Sequence, residues 1–300
     1  MPTALVTGTS TGIGLETALY FARHGYRVFA GARKPEAVER HANVVPVKLD
    51  VDNDASVREC VAQVLRDAGA VDVLVNNAGI GIAGAIELVP LDRARAMFET
   101  NFWGAVRMMQ ALLPSMRGRR SGTIVNVTSL MGHVTLGCHG FYAATKYALS
   151  AVSETIAIEA KPLGIKVAII EPGVILTPIW SKAEALMPEK HDYQQAMGRL
   201  WRLFNAQLEG GTLPDVVARA IYNAVQEGAT KLRYPVGPDA ELIAAARDRM
   251  TAAEWASLLS EEDEDKFVAR AQAAFGDDLL NPPSRNQKLN QGSNKGTSAA

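Results

Sequence analysis

Strand-like and helix-like segments alternate from the N-terminus of this chain, and this alternation limits the available folds more than any other feature. Short apolar runs at Thr3–Thr7, Arg27–Ala32 and Val44–Lys48 are typical of buried strands. Between the first two lies Gly12–His24, where apolar residues recur at helical spacing. Alternating units of this kind imply a parallel sheet that is covered by helices on both faces.

The alternation continues along the chain. Ligands on such a sheet bind beyond the carboxyl ends of the strands, where we expect the functional residues. The sequence therefore predicts an α/β protein of the Rossmann type, with a doubly wound parallel sheet of about seven strands. Further strands are predicted at residues 71–75, 122–127, 166–171 and 231–236, and further helices at residues 56–68, 91–100, 102–116, 141–163 and 213–227.

The C-terminal third is less regular, although we predict one domain over residues 1–280. Residues 178–211 are rich in Met, Trp and Phe and contain Pro188, which favours a mobile insertion that acts as a substrate lid. Residues 240–280 are predicted to form a helical extension. Residues 281–300 are polar and are predicted to be a disordered tail.

Composition and charge exclude several classes of function. Apolar residues make up 48% of the 300 residues and the net charge is -1, which favours a globular protein without a nucleic-acid or anionic-membrane partner. No apolar run reaches the roughly 18 residues of a membrane span, and no signal peptide is visible, so we expect a cytoplasmic protein. Cys60 and Cys138 are expected to be free thiols, and the five histidines lack metal-ligand spacing, so no metal site is predicted.

A glycine-rich turn separates the first strand from the first helix. It reads Gly8-Thr9-Ser10-Thr11-Gly12-Ile13-Gly14. Glycines allow a tight turn and close approach of the backbone to a pyrophosphate, and the N-terminus of the helix attracts that anion. The position between strand and helix predicts a dinucleotide site.

The residues that follow the second strand bear on which dinucleotide binds. An acidic residue about 20 positions beyond the turn holds a ribose hydroxyl in NAD-binding proteins. This chain instead has Arg33 and Lys34 there, and Arg33 can pair with a 2′-phosphate. The alternative is that both are ordinary solvated charges. We expect NADP(H) to be preferred, with NAD(H) possible.

A tyrosine and a lysine stand four residues apart at the start of a predicted helix. The spacing of Tyr142 and Lys146 places both on one helix face. A free tyrosine has a pKa of about 10, and a nearby ammonium group lowers that pKa. Such a tyrosine could exchange a proton with an alcohol near neutral pH. The pair alone is weak evidence for catalysis, because this spacing also arises by chance.

Two polar residues strengthen the pair. Ser129 follows the predicted strand at residues 122–127 and could donate a hydrogen bond to a substrate oxygen. It could also simply cap the end of the strand. Asn101, between two helical segments, could hold a water molecule, and it could equally be the N-cap of the helix that follows.

Taken together, the motifs resemble one enzyme family. In order, the chain has Thr7-Gly8-xxx-Gly12-Ile13-Gly14, Asp50-Val51, Asn76-Asn77-Ala78-Gly79, Asn101, Ser129, Tyr142-xxx-Lys146 and Pro172-Gly173. Over about residues 3–237 the sequence resembles a single-domain short-chain dehydrogenase/reductase, particularly the branch active on steroids and retinol. The residues beyond about 237 are not explained by the common pattern.

The resemblance implies a role for each matching residue. Tyr142 would be the general acid/base, and Lys146 would bind the nicotinamide ribose and lower the pKa of Tyr142. Ser129 would orient the substrate oxygen, and Asn101 would support a water in a proton relay. Asp50 would contact the adenine, Asn77 would lie near a ribose, and the segment after Pro172 would border the nicotinamide. The predicted cofactor-binding residues are Gly8, Ser10, Thr11, Gly12, Ile13, Gly14, Arg33, Asp50, Val51, Asn77, Ala78, Gly79, Tyr142, Lys146, Pro172, Gly173, Val174 and Thr177.

The predicted substrate is a hydrophobic alcohol, ketone or aldehyde, such as a steroid, a retinoid or a fatty-chain carbonyl. The same apolar residues could instead bury the lid or form a subunit interface. His133 and His139 flank the site, and a loop role is as plausible for them as substrate contact. The expected pocket residues are Leu130, Met131, Val134, Leu136, Phe141, Val174, Ile175, Trp180, Met187, Trp201, Leu203 and Phe204.

Two function classes are compatible with these motifs. The first is an NADP(H)-dependent oxidoreductase that interconverts an alcohol and its carbonyl compound. The alternative is a redox sensor that binds NADP(H) without turnover, although sensors of this fold tend to lose the Tyr or the Lys. An epimerase or dehydratase would need a different glycine spacing. The long apolar helices at residues 102–116 and 141–163 lead us to expect a homodimer or homotetramer.

Overall fold

Seven parallel strands form the central sheet of the protein. A computed structural model describes residues 1–186, 192–276 and 279. The sheet order is β3-β2-β1-β4-β6-β7-β9, and β5 pairs separately with β8. This order confirms the predicted doubly wound parallel sheet. The strands are β1 (Thr3–Thr7), β2 (Arg27–Ala32), β3 (Val44–Lys48), β4 (Val73–Asn76), β5 (Ile82–Ala83), β6 (Gly122–Val127), β7 (Ile165–Pro172), β8 (Glu184–Ala185) and β9 (Arg233–Val236).

Helices connect the strands and continue beyond them. Most bounds lie within two or three residues of those predicted. The two helices predicted at residues 91–100 and 102–116 are joined by a π-helical turn at Glu99–Trp103. The α-helices are α1 (Gly12–Arg23), α2 (Asp54–Ala68), α3 (Leu91–Phe98), α4 (Gly104–Arg119), α5 (Gly140–Ala160), α6 (Ile179–Lys182), α7 (Gln194–Gly210), α8 (Pro214–Gln226), α9 (Pro238–Asp248), α10 (Ala252–Leu259) and α11 (Glu264–Phe275).

The core lies on both faces of the sheet. Every residue of β1 is buried, as expected for a strand covered on two sides. Phe21 of α1 and Ile221 of α8 pack on one face, and α2, α4 and α5 cover the other with residues such as Met108 and Leu149. The resulting rigid layers fix the carboxyl ends of the strands, where the predicted site residues lie.

The strand order reverses between β1 and β4. Chain segments that leave β1 and β4 therefore diverge to opposite faces of the sheet and open a crevice at the carboxyl ends. The glycine-rich turn follows β1, and Asn77-Ala78-Gly79 follows β4. The fold therefore places two of the predicted motifs on opposite sides of one crevice.

The segment predicted as an irregular insertion contains a long helix. Helix α7 buries Met197, Leu200 and Phe204 against Ala83, Ala85 and Val174. Its apolar residues recur at helical spacing, a signal that outweighs the neighbouring glycines and proline. Met187 and the predicted disordered tail at residues 281–300 lie outside the described residues.

The C-terminal helices pack against the loop that precedes α5. Trp255 of α10 and Phe267 of α11 form one apolar cluster with Leu130, Met131 and Val134. Trp255 also donates a hydrogen bond from Nε1 to the carbonyl of Thr135 at 2.9 Å. Helices α9–α11 therefore support the segment between Ser129 and Tyr142.

Candidate active site

The glycine-rich turn has a backbone that few other residues could adopt. Gly8 and Gly12 have φ angles of 71° and 63°, in the left-handed region that favours glycine. A Cβ atom on Gly8 would lie 2.8 Å from the Cα atom of Ala78. The turn thus brings the N-terminus of α1, whose first turn holds no acidic residue, to the edge of the crevice. This end of the helix suits an anionic group.

Asn77 ties the turn to the end of β4. Its Nδ2 atom donates to the carbonyl oxygens of Thr7 at 3.0 Å and Gly8 at 3.3 Å. The Thr7 hydroxyl in return accepts from the backbone N–H groups of Asn77 and Ala78. A Cβ atom on Gly14 would lie 2.4 Å from this Nδ2 atom, so Gly14 packs behind the turn. Sequence analysis missed the role of Thr7 and gave Asn77 only a ribose contact.

A pocket extends from the turn across the carboxyl ends of β1, β2 and β3. Both polar and apolar groups line it, as a dinucleotide requires. Twelve of the predicted cofactor-binding residues line this pocket, and Lys34 does not. Those twelve are Gly8, Ser10, Thr11, Gly12, Ile13, Arg33, Asp50, Val51, Asn77, Ala78, Gly79 and Thr177.

Charged residues gather at the far end of this pocket. Arg33 is exposed there, beside Asp50 and Asp52. Burial raises the pKa of Asp52, while a hydrogen bond from Thr100 at 2.8 Å and the charge of Arg33 act in the opposite direction. Asp52 was not among the predicted site residues, because it stands one position past the Asp50-Val51 motif.

Tyr142 and Ser129 meet at the mouth of a second, adjoining cavity. Burial raises the pKa of Tyr142, and a hydrogen bond with Ser129 partly opposes that rise. The Ser129 hydroxyl also accepts from the backbone N–H of Met131 at 3.1 Å. The two predicted residues are therefore adjacent, although they come from the end of β6 and the start of α5.

Lys146 lies on the same helix face, yet the expected lowering of the Tyr142 pKa is not observed. Its Nζ atom lies 5.8 Å from the centre of the Tyr142 ring and donates to the carbonyl of Val127 at 3.1 Å. Burial lowers the pKa of Lys146 to about 8, while burial raises that of Tyr142. The loss of solvent thus outweighs the attraction that the i, i+4 spacing suggested.

Asn101 lies behind the cavity rather than in its wall. It is buried within the π-helical turn, where its Oδ1 atom accepts from the backbone N–H of Ile80 at 2.8 Å. Its Nδ2 atom donates to the carbonyl of Ile80 and to the hydroxyl of Thr145. The side chain therefore joins the segment after β4 to α5, and it does not act as the simple helix N-cap that the sequence allowed.

The second cavity has a volume of about 160 Å³ and a mainly apolar wall. It shares Ile13, Asn77, Gly79 and Thr177 with the pocket beside the glycine-rich turn, the candidate nucleotide pocket, so the two spaces adjoin. The predicted residues that line it are Ser129, Tyr142, Lys146, Pro172, Gly173, Val174, Leu130, Met131, Leu136, Ile175, Trp180, Trp201, Leu203 and Phe204.

Two of the expected pocket residues that the structure describes are not found in this wall. Val134 is fully buried in the cluster beneath the C-terminal helices. Phe141 packs with Ile82, Val89 and Met97. Both side chains point into neighbouring apolar layers, a direction that sequence position alone did not reveal. Met187 lies outside the described residues.

His139 lines the cavity next to Tyr142. Its ring centre lies 4.6 Å from that of Tyr142 and 5.5 Å from that of Phe204. Burial lowers the pKa of His139 to about 4, and its Nδ1 atom has no hydrogen-bond partner among the described residues. The imidazole is therefore neutral at neutral pH. Sequence analysis left this residue outside the catalytic set.

His133, by contrast, points away from the cavity. Its Nε2 atom lies 2.8 Å from Asp248 and its Nδ1 atom 3.6 Å from the buried Glu171. These two carboxylates raise the pKa of His133. The residue thus connects the loop after Ser129 to β7 and α9, which agrees with the alternative of a polar loop role.

Asp239 reaches the cavity from the C-terminal extension. Its carboxylate is buried and accepts from the backbone N–H of Val174 at 2.7 Å. A Cβ atom on Gly173 would lie 2.2 Å from the carboxylate oxygens, so only glycine fits beside it. Sequence analysis missed Asp239, because Asp at a helix start is common for local reasons.

The described residues contain neither a membrane-spanning helix nor a cluster of metal ligands. No helix in this part of the chain combines the length and the apolar character needed to cross a membrane. Likewise, within residues 1–186, 192–276 and 279, no group of three or more His, Cys, Asp or Glu side chains could hold a metal ion.

Known proteins are similar to this chain both in sequence and in fold. A family model described as short chain dehydrogenase matches residues 2–187. A 3-ketodihydrosphingosine reductase from Bacteroides thetaiotaomicron is 35% identical over 243 residues, covering 80% of this chain and 90% of the relative. A solved short-chain dehydrogenase from Streptomyces avermitilis is 34% identical with a TM-score of 0.77, covering 90% of this chain and 98% of the other.

Among solved structures with this fold, one contains NADP and another contains NAD. A short chain dehydrogenase from Burkholderia cenocepacia J2315 in complex with NADP has a TM-score of 0.71 and 26% identity, covering 87% of this chain and 98% of the other. A short chain dehydrogenase/reductase from Burkholderia phymatum in complex with NAD has a TM-score of 0.68 and 25% identity, covering 77% and 88%. These proteins have a fold similar to that of this chain, and their sequence identity to it is modest.

Proposed function

Because this chain belongs to the short-chain dehydrogenase/reductase family of oxidoreductases, we propose that it interconverts an alcohol and its ketone or aldehyde with NADP(H). One observation carries the proposal: Tyr142, Ser129 and Lys146 line a single apolar cavity that adjoins the nucleotide pocket. A proton donor, an oxygen-binding hydroxyl and a cation thus lie where a reacting carbon could sit beside a nicotinamide.

The residues present fit a nicotinamide dinucleotide. Gly8 and Gly12 carry no side chain, so the backbone of the turn can approach a pyrophosphate at these two positions. Arg33 would pair with a 2′-phosphate, while Asp50 and Val51 would contact the adenine. Pro172, Gly173 and Val174 would border the nicotinamide. When bound, this group supplies or accepts the hydride.

Tyr142 and Ser129 would handle the oxygen of the substrate. Ser129 would donate a hydrogen bond to the carbonyl oxygen and so stabilise negative charge as it develops. Tyr142, protonated at neutral pH because its pKa is raised, would donate its phenolic proton to that oxygen during reduction. In the direction of oxidation the same oxygen of Tyr142 would accept the proton.

Lys146 and Asn101 would support this proton transfer. Lys146 would hold the nicotinamide ribose and keep a positive charge beside Tyr142 as the phenolate forms. Asn101 would fix the backbone after β4 through its hydrogen bonds to Ile80, and it would link that segment to Thr145 of α5. Lys146 is thus the catalytic cation, and Asn101 is a positioning residue that would support a water relay.

The substrate proposed is a hydrophobic carbonyl compound or alcohol. Leu136, Trp201 and Phe204 present apolar surface to the cavity, and the neutral His139 adds one polar atom next to Tyr142. The Bacteroides relative bears the name of a reductase acting on a 3-keto compound. A ketone with a long apolar portion is therefore the first candidate to test.

A screen of hydrophobic ketones, aldehydes and alcohols tests the function. The purified protein is incubated with NADPH, NADH or their oxidised forms, and the nicotinamide absorbance is followed. Turnover that is faster with NADPH than with NADH supports the proposal. Tight NADPH binding without turnover of any compound supports the alternative, a redox sensor.

We also propose that the protein is a homodimer or homotetramer. Trp103 next to α4 and Ile158 on α5 are large apolar side chains that are 49% and 75% exposed. Apolar groups exposed on neighbouring helices favour association. Light scattering coupled to size-exclusion chromatography measures the mass, and a monomer at micromolar concentration would contradict this proposal.

A further inference from the structure

A third cavity lies between α7 and the C-terminal helices. It encloses about 70 Å³ and is lined by residues such as Leu200 of α7, Trp255 of α10 and Ala271 and Phe275 of α11. None of these residues belongs to the catalytic set or to the nucleotide pocket. The cavity therefore has no part in the reaction as described so far.

This third cavity adjoins the catalytic cavity. Leu136, Leu203 and Ile243 line both spaces. Leucine and isoleucine side chains change rotamer at modest cost, so a flexible chain can pass between them. The boundary therefore selects for a narrow, flexible ligand.

The wall of the third cavity is apolar. Arg199 is the only charged side chain among the described residues that line it. Its guanidinium pairs with Glu264 at 2.9 Å and stacks on the Phe267 ring at 3.9 Å. Trp255 directs its Nε1 atom to the Thr135 carbonyl. The polar atoms of the wall are thus engaged elsewhere, and the cavity offers contacts suited to methylene groups.

We propose that this third cavity holds the distal end of an unbranched alkyl chain whose carbonyl or carbinol carbon lies at Tyr142. The inference rests on the proposed function and narrows its substrate to long-chain compounds. The C-terminal extension, which the common family pattern does not explain, then has a direct role: its helices build the tail subsite.

A chain-length series tests the inference by turnover. The substrates are 2-alkanones of increasing length, reduced with NADPH. For the unmodified protein, kcat/KM should rise about fourfold for each buried methylene and then level off. Ala271→Leu fills the third cavity, so it should lower kcat/KM at least tenfold for long ketones and leave the shortest unchanged. Ala269→Leu, exposed on the same helix, is the matched control.

A binding experiment tests the inference without turnover. The terminal bromine of 12-bromododecanol quenches a nearby tryptophan, so this ligand should quench the fluorescence of Trp255. Most of the quenching should disappear in Trp255→Phe and persist in Trp103→Phe, whose side chain is half exposed. This measurement also applies if Ala271→Leu fails to fold, which its thermal unfolding curve would reveal.

The outcomes separate the two proposals. Reduction of ketones with equal chain-length profiles in Ala271→Leu and the control, and unchanged quenching in Trp255→Phe, would overturn the tail subsite while the proposed function stands. Quenching that depends on Trp255 without turnover of any ketone, aldehyde or alcohol would support the subsite and reject the proposed function.

Discussion

The carboxylate of Asp239 accepts a hydrogen bond from the backbone N–H of Val174 at 2.7 Å. The two residues are 65 positions apart and belong to α9 and to the segment after β7. This bond attaches the C-terminal extension to the loop that would border the nicotinamide. The position of that loop therefore depends on residues outside the common family pattern.

Removal of this carboxylate should loosen the loop. Asp239→Ala leaves the buried N–H of Val174 unpaired, which should lower the free energy of unfolding by about 1–3 kcal/mol. Urea unfolding measures this loss, and KM for NADPH should rise in the same variant. Glu241→Ala, exposed on the same helix, is the control. Equal stability of the two variants would contradict the role assigned to Asp239.

Arg33 should determine the preference for the 2′-phosphate. Arg33→Asp replaces an attraction with a repulsion, so the ratio of NADPH to NADH affinity should fall by roughly 10- to 100-fold. Lys34→Asp makes the same change of charge at an adjacent exposed residue that does not line the pocket. Fluorescence titration gives both ratios. A similar fall in the two variants would mean that only long-range charge matters.

Loss of the Tyr142 hydroxyl should abolish turnover and preserve the fold. General acid catalysis contributes about 100- to 10,000-fold, so Tyr142→Phe should lower kcat by at least about 100-fold. NADPH affinity should change little, because the ring and its packing persist. Single-turnover measurements with the best substrate of the screen test this. Retained activity would remove Tyr142 from the proposed mechanism.

The pH profile of kcat/KM should reveal the loss of charge on Lys146. Tyr142 is protonated through neutral pH because its pKa is raised, whereas Lys146 loses its charge around pH 8. The kcat/KM for reduction should therefore be flat below pH 8 and fall above it, since this parameter reports groups of the free enzyme. Lys146→Arg keeps the positive charge and should move the fall to higher pH. A profile that is the same in both proteins would assign the fall to another group.

His139 should make stability depend on acidity. Its pKa is lowered from 6.5 to about 4 in the folded protein, so between these values the unfolded chain binds more protons. The contribution of His139 to the free energy of unfolding is therefore complete above pH 6.5. It is lost as the pH falls to 4, a change of about 3 kcal/mol. In His139→Phe the free energy of unfolding, measured by urea unfolding between pH 4 and 6.5, should lose this part of its dependence on pH. The control is His24→Phe, at an exposed histidine, which should retain the dependence on pH that His139 provides.

Local patterns predicted most of the fold and the positions of the proposed catalytic residues. The turn after β1 could be predicted because glycine, strand and helix signals stand together in the sequence. Tyr142 and Lys146 share a helix, so their spacing was sufficient to place them on one face. The ends of β4 and β6 could be predicted in the same way, because parallel strands bring their carboxyl ends to one edge.

Features that depend on distant contacts could not be predicted. The direction of the Tyr142 pKa shift depends on how much solvent the whole fold removes, which spacing does not reveal. Asp239 resembles an ordinary helix start until α9 is placed beside Val174. Helix α7, however, carried a readable signal: Met197, Leu200 and Phe204 recur at helical spacing.

The hydrogen bonds from Asn77 to the turn after β1 also constrain how the protein matures during synthesis. The turn leaves the ribosome before the amide that holds its shape, which lies 70 positions further along the chain. A nascent chain that exposes only β1, α1 and β2 lacks this amide. We therefore expect affinity for the dinucleotide to arise abruptly, once β4 has docked beside β1, rather than to grow with each added strand.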